Sequence, residues 1–141
     1  MARLCPLFSG SSGNSYYIGS RSAGLLLDAG RSARQLTQML GRCGIDPLAI
    51  QGILITHEHS DHIAGVRVFA KKYGIPVFAS QGTLLAMEPS LEGVERWVLD
   101  GPIELARMKI TPFPTPHDSA QSLGFRITTA CLLYTSDAAD E

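Results

Sequence analysis

Apolar residues arrive in short blocks whose period changes along the chain, and each change marks an element. Arg3–Phe8 and Tyr16–Gly19 read as short strands around the polar turn Ser9-Gly10-Ser11-Ser12-Gly13-Asn14-Ser15. Gly24–Asp28 is an apolar run ending in a carboxylate, the pattern of a buried strand that delivers a polar group to its tip. Ala33, Leu36, Met39, Leu40 and Cys43 then recur at helical spacing, with Gly44 placed to close the helix. Asp46-Pro47 has the form of an N-cap followed by proline at the first helical position. Gly52–Thr56 is a second buried strand and runs straight into His57.

From Asp61, the residues Ile63, Val66, Phe69, Ala70 and Tyr73 predict one amphipathic helix, capped by Ser60 or Asp61 and closed by Gly74. Ile75–Ala79 reads as a strand, and Ser80 as the cap of a short helix over Thr83–Met87. Trp97–Leu99, Ile103–Phe113 and Leu123–Thr128 are further strands, with a turn at Asp100-Gly101. The alternation predicts an α/β fold with polar residues gathered at strand ends, where such sheets place ligands. No repeat or low-complexity linker interrupts it, and the expected domain runs over residues 1–130.

The 141 residues suit one domain with a real core, and 45% hydrophobic with 18% charged residues is ordinary for a globular protein. A net charge of −1 removes any global basic field and disfavours binding to nucleic acid through many phosphate contacts. A nuclease that reads its substrate only locally remains compatible with it. Cys5, Cys43 and Cys131 are odd in number and far apart, which suits a reducing cytoplasm better than a disulfide framework. The N-terminus lacks the apolar run of a signal peptide, and no stretch approaches the roughly 18 apolar residues of a membrane span. The expected setting is cytoplasmic, with no membrane partner.

The chemistry lies in the histidines. Three of the four fall in Thr56-His57-Glu58-His59-Ser60-Asp61-His62, and the fourth is His117, in the proline-stiffened stretch Pro112–Ser119. Imidazole and carboxylate are ligands of zinc and similar divalent ions. Along an extended segment His57 and His59 point the same way and reach one ion, while Asp61 and His62 follow, displaced towards a second. Two ions about 3.5–4 Å apart share a bridging water and bring its pKa towards ~7. Asp61 is the candidate to orient that water or take its proton. Other features stay open at this level. His117 is a ligand or a structural histidine, Asp28 a supporting acid or a plain cap, and Ser9–Ser15 an anion cradle or a simple turn. Arg67, Lys71 and Lys72 are a solvated helix face or a phosphate-steering one.

The order of Leu27-Asp28-Ala29-Gly30, the H-x-H-x-D-H run and Pro116-His117-Asp118 resembles the metallo-β-lactamase-fold hydrolases. The resemblance covers roughly residues 3 to 128. The opening Ser9–Ser15 stretch, Ile75–Ala79 and Pro116–Ser119 resemble its WalJ/YycJ-type branch, a bacterial group of cytosolic, exonuclease-like metallohydrolases. The resemblance implies an αββα sandwich, here its N-terminal half or more, with a dinuclear site at the sheet edge. Carried over, His57, His59 and His117 bind the first ion, and Asp61 and His62 the second. Asp28 and Asp118 support them, and Ser9, Ser11 and Asn14 are candidates for a substrate-facing loop. The implied cofactors are two divalent ions, zinc first, with manganese and iron also accepted by such ligands. The implied chemistry is hydrolysis by a metal-bound hydroxide, and the branch points to a nucleic-acid substrate, cut as a phosphodiesterase or 5′→3′ exonuclease on DNA. An ester, thioester or lactone hydrolase is the alternative, since one fold hosts many substrates. A non-catalytic metal-binding module is another.

The chain departs from the family after His117. It has no later histidine, and residues 131–141 resemble a translated sequencing adapter more than the family's glycine-bearing strand. The expectation is of a shortened domain with a non-native tail, weakly active or inactive, and with a large apolar sheet face uncovered. Alternatively Leu132–Ser136 is a strand leading to Asp137 as the bridging aspartate. Either way the H-x-H-x-D-H run predicts bound metal. Elemental analysis of the purified chain should find divalent metal, and less in His59→Ala; about two ions per molecule would mean that the bridged pair survives, and one that the chain holds half a site. A metal-free protein, purified without chelators, would contradict the reading.

Overall fold

The computed structural model describes residues 3–11, 13–116 and 119–129, and the backbone of 132–136. Ten strands fall into two sheets. The first takes β1 (Arg3–Phe8), β2 (Ser15–Gly19), β3 (Gly24–Leu27), β4 (Ile50–Leu54), β5 (Val77–Ala79) and β6 (Arg96–Val98) in chain order. Its first three strands are antiparallel, and from β3 to β6 it is parallel. The second sheet is antiparallel, ordered β10 (Leu132–Ser136), β9 (Leu123–Thr129), β8 (Met108–Pro114), β7 (Ile103–Leu105).

The parallel half requires helical crossovers, and these supply the outer layer: α1 (Ala33–Arg42), α2 (Ser60–Ile63), α3 (Val66–Tyr73) and α4 (Gln81–Met87). α1 starts where a capping box forms, with Ser32 Oγ accepting from the Gln35 amide at 3.2 Å and Gln35 Oε1 from the Ser32 amide at 3.4 Å. Its buried stripe is Leu36 and Leu40. Asp46 caps only a single 3₁₀ turn, Pro47–Ala49, and Ser80 caps α4.

Side chains alternating along the first sheet feed two separate cores. Tyr17, Leu26, Ile53 and Ile55 pack with Leu36, Leu40, Phe69 and Met87 under the helices. Ile18, Leu25, Leu27 and Leu54 face the second sheet and meet Met108, Ile110, Phe125 and Ile127. The molecule is thus a helix layer on a sheet on a sheet, the α/β architecture expected.

Three local expectations are corrected. The helix expected from Asp61 to Tyr73 is two helices, because its backbone partners are taken elsewhere. The Asp61 carbonyl, which Gly65 N would need, accepts from Asn14 N at 2.7 Å, and Gly65 N donates to Ala29 O at 2.8 Å. Neither Ser60 nor Asp61 caps α2; His59 occupies that position, with no side-chain capping bond. The long strand Ile103–Phe113 is a hairpin, turned at Ala106 (φ 54°) and Arg107 (φ 63°). Tight hairpins need positive φ at both central residues, and without Gly or Asn there the turn carried no sequence signal. Outward on the second sheet, Lys109 pairs with Thr128 and Thr111 with Arg126, and Lys109, Arg126 and Thr128 are exposed.

Two glycines give opposite expectations. A Cβ on Gly65 would lie 1.9 Å from Arg31 O, whereas one on Gly41, inside α1, would meet nothing within 4 Å. Gly65→Ala should therefore cost about 1–3 kcal/mol through overpacking, and Gly41→Ala should add about 0.5–1 kcal/mol through helix propensity. Urea midpoints of the two variants, moving in opposite directions, check both.

Candidate active site

The site grows from the adjacent tips of the parallel strands β3 and β4. Just past β3, Asp28 takes a left-handed backbone (φ 61°), a conformation Asp tolerates better than most residues. Its amide donates to Leu54 O at 2.7 Å, locking it to the end of β4. The side chain is buried and accepts three hydrogen bonds: from Thr56 N at 2.8 Å, Thr56 Oγ1 at 2.8 Å and His62 Nδ1 at 2.6 Å. Burial pushes the Asp28 carboxyl above the usual carboxylate range, while the bonds from His62 and Thr56 pull the other way.

Counting hydrogens fixes what the imidazoles present. Thr56 Oγ1 has one hydrogen, and it goes to Asp28, so Thr56 Oγ1 can only accept from His57 Nδ1, 2.9 Å away. His62 Nδ1 likewise carries its proton towards Asp28. With the Nδ1 protons on these bonds both rings turn Nε2 to the opposite side, the arrangement by which a carboxylate orients histidines as ligands. The His57 and His62 rings stand 4.0 Å apart and the His57 and His59 rings 4.6 Å apart. His57 and His62 are buried, and His59 and Asp61 half-buried.

Asp61 Oδ2 lies 3.7 Å from His62 Nε2, and the Asn14 amide nitrogen sits within 3.2 Å of the first and 3.3 Å of the second. Asn14 is buried, whereas Ser9 and Ser11 are exposed on the same loop. The loop closes on the site because Gly30 leaves it room. A Cβ on Gly30 would lie 1.9 Å from Asp61 O and 2.4 Å from Asn14 N.

His117, Asp118 and Asp137 lie outside the described residues. The stem of the His117 loop is described. Thr115 Oγ1 donates to Ser122 Oγ at 3.0 Å, which donates back to Thr115 O at 3.0 Å. Leu123 N bonds to Thr56 O at 2.8 Å, and Ala120 N to Glu58 Oε2 at 2.8 Å. Glu58 and the Thr56 carbonyl thus tie the two histidine-bearing segments together. Arg67, Lys71 and Lys72 are exposed on α3.

The donor set suits a divalent ion in chemistry: three imidazoles in contact, two of them oriented through Nδ1, and a carboxylate oxygen facing one of them. Among the described residues alone, no group of three or more His, Cys, Asp or Glu side chains is disposed to hold an ion. Thr56 was overlooked in the sequence as part of this site, and Asn14, read there as a candidate for a substrate-facing loop, turns instead onto Asp61 and His62. Thr56 stands next to the motif, but nothing local marks Asn14, whose partners lie 47 and 48 positions away.

This strand-tip cluster on a helix–sheet–sheet frame agrees with a family match: the sequence profile of the metallo-beta-lactamase superfamily fits residues 9–133. The chain belongs to that superfamily, and within it to the WalJ/YycJ-like branch. It is 50% identical over 84 residues to the exodeoxyribonuclease WalJ of Streptococcus pneumoniae, covering 60% of this chain and 31% of the relative. It is 34% identical over 122 residues to the exodeoxyribonuclease YycJ of Bacillus anthracis, covering 83% of this chain and 46% of the relative. The chain thus spans less than half of either relative. Among solved structures, the metallo-beta-lactamase fold protein YhfI of Bacillus subtilis superposes with a TM-score of 0.74 at 19% identity, over 94% of this chain and 59% of that one. At that identity the likeness concerns the fold.

Asp28→Asn keeps the shape but offers Thr56 and His62 a donor where they need an acceptor. It should destabilise the protein by roughly 1–3 kcal/mol, the cost of buried polar groups left unsatisfied. Chemical denaturation should show this loss, with Leu48→Ala on the exposed surface as the neutral comparison. An unchanged midpoint for Asp28→Asn would mean the three bonds do not hold the site.

Proposed function

We propose that this chain carries the histidine-bearing part of a metal-dependent DNA exonuclease, with His57, His59 and His117 holding one divalent ion and Asp61 and His62 a second. The observation that carries the reading is the Asp28–Thr56 relay, in which Asp28 accepts from Thr56 and lies 2.6 Å from His62 Nδ1 while Thr56 Oγ1 lies 2.9 Å from His57 Nδ1. A carboxylate braced to that degree by three donors is the outer-shell support expected of histidine ligands. When bound, such ions acidify water and neutralise charge on a phosphoryl group.

The chain's own residues take the remaining tasks. Asp61, with its side chain 32% exposed at the rim, is placed to orient an attacking water and accept its proton. Glu58 holds the Ala120 amide and so sets the approach of the His117 loop. The printed activity of the WalJ and YycJ relatives supports DNA as substrate. Zinc suits three imidazoles and a carboxylate. The setting is cytoplasmic, in keeping with the free thiols of Cys5 and Cys43; among the described residues no helix is long and apolar enough to cross a membrane.

The test is release of nucleotides from end-labelled single-stranded DNA with added zinc or manganese, run beside a small ester. Release should stop with a chelator. It should fall more than about 100-fold in His62→Ala, past the ~10–100-fold of outer-shell changes. Ester cleavage with intact DNA would overturn the substrate. Metal retention with neither activity is the outcome expected of an inactive shortened domain.

A further inference from the structure

We infer that Asn14 is a positioning residue, a placeholder that keeps Asp61 and His62 at the separation one cation needs. The inference rests on the metal-binding reading above and concerns a residue outside its ligand set.

The amide nitrogen of Asn14 faces four acceptors: Gly10 O at 2.9 Å, Asp61 O at 3.3 Å, Asp61 Oδ2 at 3.2 Å and His62 Nε2 at 3.3 Å. An amide has two hydrogens, so the group is oversubscribed. Two of the acceptors have other donors, since Gly10 O also accepts from Gly13 N at 3.2 Å and Asp61 O from Asn14 N at 2.7 Å. Asp61 Oδ2 and His62 Nε2 are left sharing what remains. An amide nitrogen only donates, so His62 Nε2 accepts in this contact, and it faces a carboxylate oxygen 3.7 Å away. Two such acceptors repel unless something positive lies between them. In this structure that is the amide edge of Asn14.

The spacing is close to what an ion would require. Two donors about 2.0–2.1 Å from a tetrahedral ion stand roughly 3.3 Å apart. Asn14 therefore holds the pair at 3.7 Å, where Asp61 and His62 would hold a cation and the amide would keep Gly10 O and Asp61 O. The rest of Asn14 is anchored for this task. Its Oδ1 accepts from Gly10 N at 3.1 Å, its carbonyl from Gly30 N at 2.9 Å, and its burial removes competing water. Preorganisation of this kind raises affinity by removing the cost of ordering the ligands at the moment of binding.

Competition against a chromophoric zinc chelator, on the full 141-residue chain, tests this. Asn14→Ala should weaken one of the two zinc equivalents by about 10–100-fold, the range of outer-shell changes, and leave the other unchanged. Asn14→Asp keeps the shape and the bond from Gly10 N but sets a second carboxylate against Asp61. Its melting temperature should fall in the metal-free protein and recover with zinc, giving a larger zinc-induced rise than wild type. A purely structural brace would lower both states equally, and that result would overturn the inference. So would unchanged affinity in Asn14→Ala while wild type binds two ions. A wild type that binds no zinc would instead overturn the metal reading, and the inference with it.

Discussion

The Asp28 carboxylate is the contact on which the site depends. It lies at the tip of β3 in a left-handed turn, bonded by its own amide to the end of β4 and by its side chain to Thr56 and His62. One residue thus joins two parallel strands and, directly or through Thr56, orients two histidines. A buried carboxylate is costly unless its lone pairs are answered. The three donors that answer it come from the segment that bears the candidate ligands, so the energetic requirement of the fold and the chemical requirement of the site are met by the same bonds.

Around that anchor three loops interlock through backbone as much as through side chains. Asn14 N reaches Asp61 O, Gly30 N reaches Asn14 O, Ala29 N reaches His62 O, and Gly65 N reaches Ala29 O. Gly30 and Gly65 permit the approach, since a Cβ on either would fall 1.9 Å from a carbonyl oxygen of the neighbouring loop. The helix break at Ala64–Gly65 follows from this exchange.

Much of this was legible in the residues. The apolar runs of β3 and β4, the capped α1 and the histidine cluster all express local rules of period, capping and ligand type, and they fall where those rules place them. What stayed hidden was set by distant partners. A period of helical residues cannot report that the Asp61 carbonyl is spoken for by Asn14 N. Nor can Ala106-Arg107 announce a tight turn, since neither residue favours the positive φ it adopts. Asn14 looked like one polar residue among several in a loop. Its burial against Asp61 and His62 depends on how that loop folds back over Gly30.

The alternation along β3 has a wider consequence. Leu25 and Leu27 belong to the core between the sheets, Leu26 to the core under the helices, and Asp28 follows directly. Four consecutive residues therefore serve two interiors and the site, with no spacer between them. Length here is under stricter constraint than residue type. Exchanging one aliphatic for another disturbs a single interior, whereas adding or deleting one residue would swap both interiors and turn the carboxylate away from the histidines in the same stroke. Variation in such a strand should accumulate as substitutions among apolar residues, and insertions should collect in the loops beyond it.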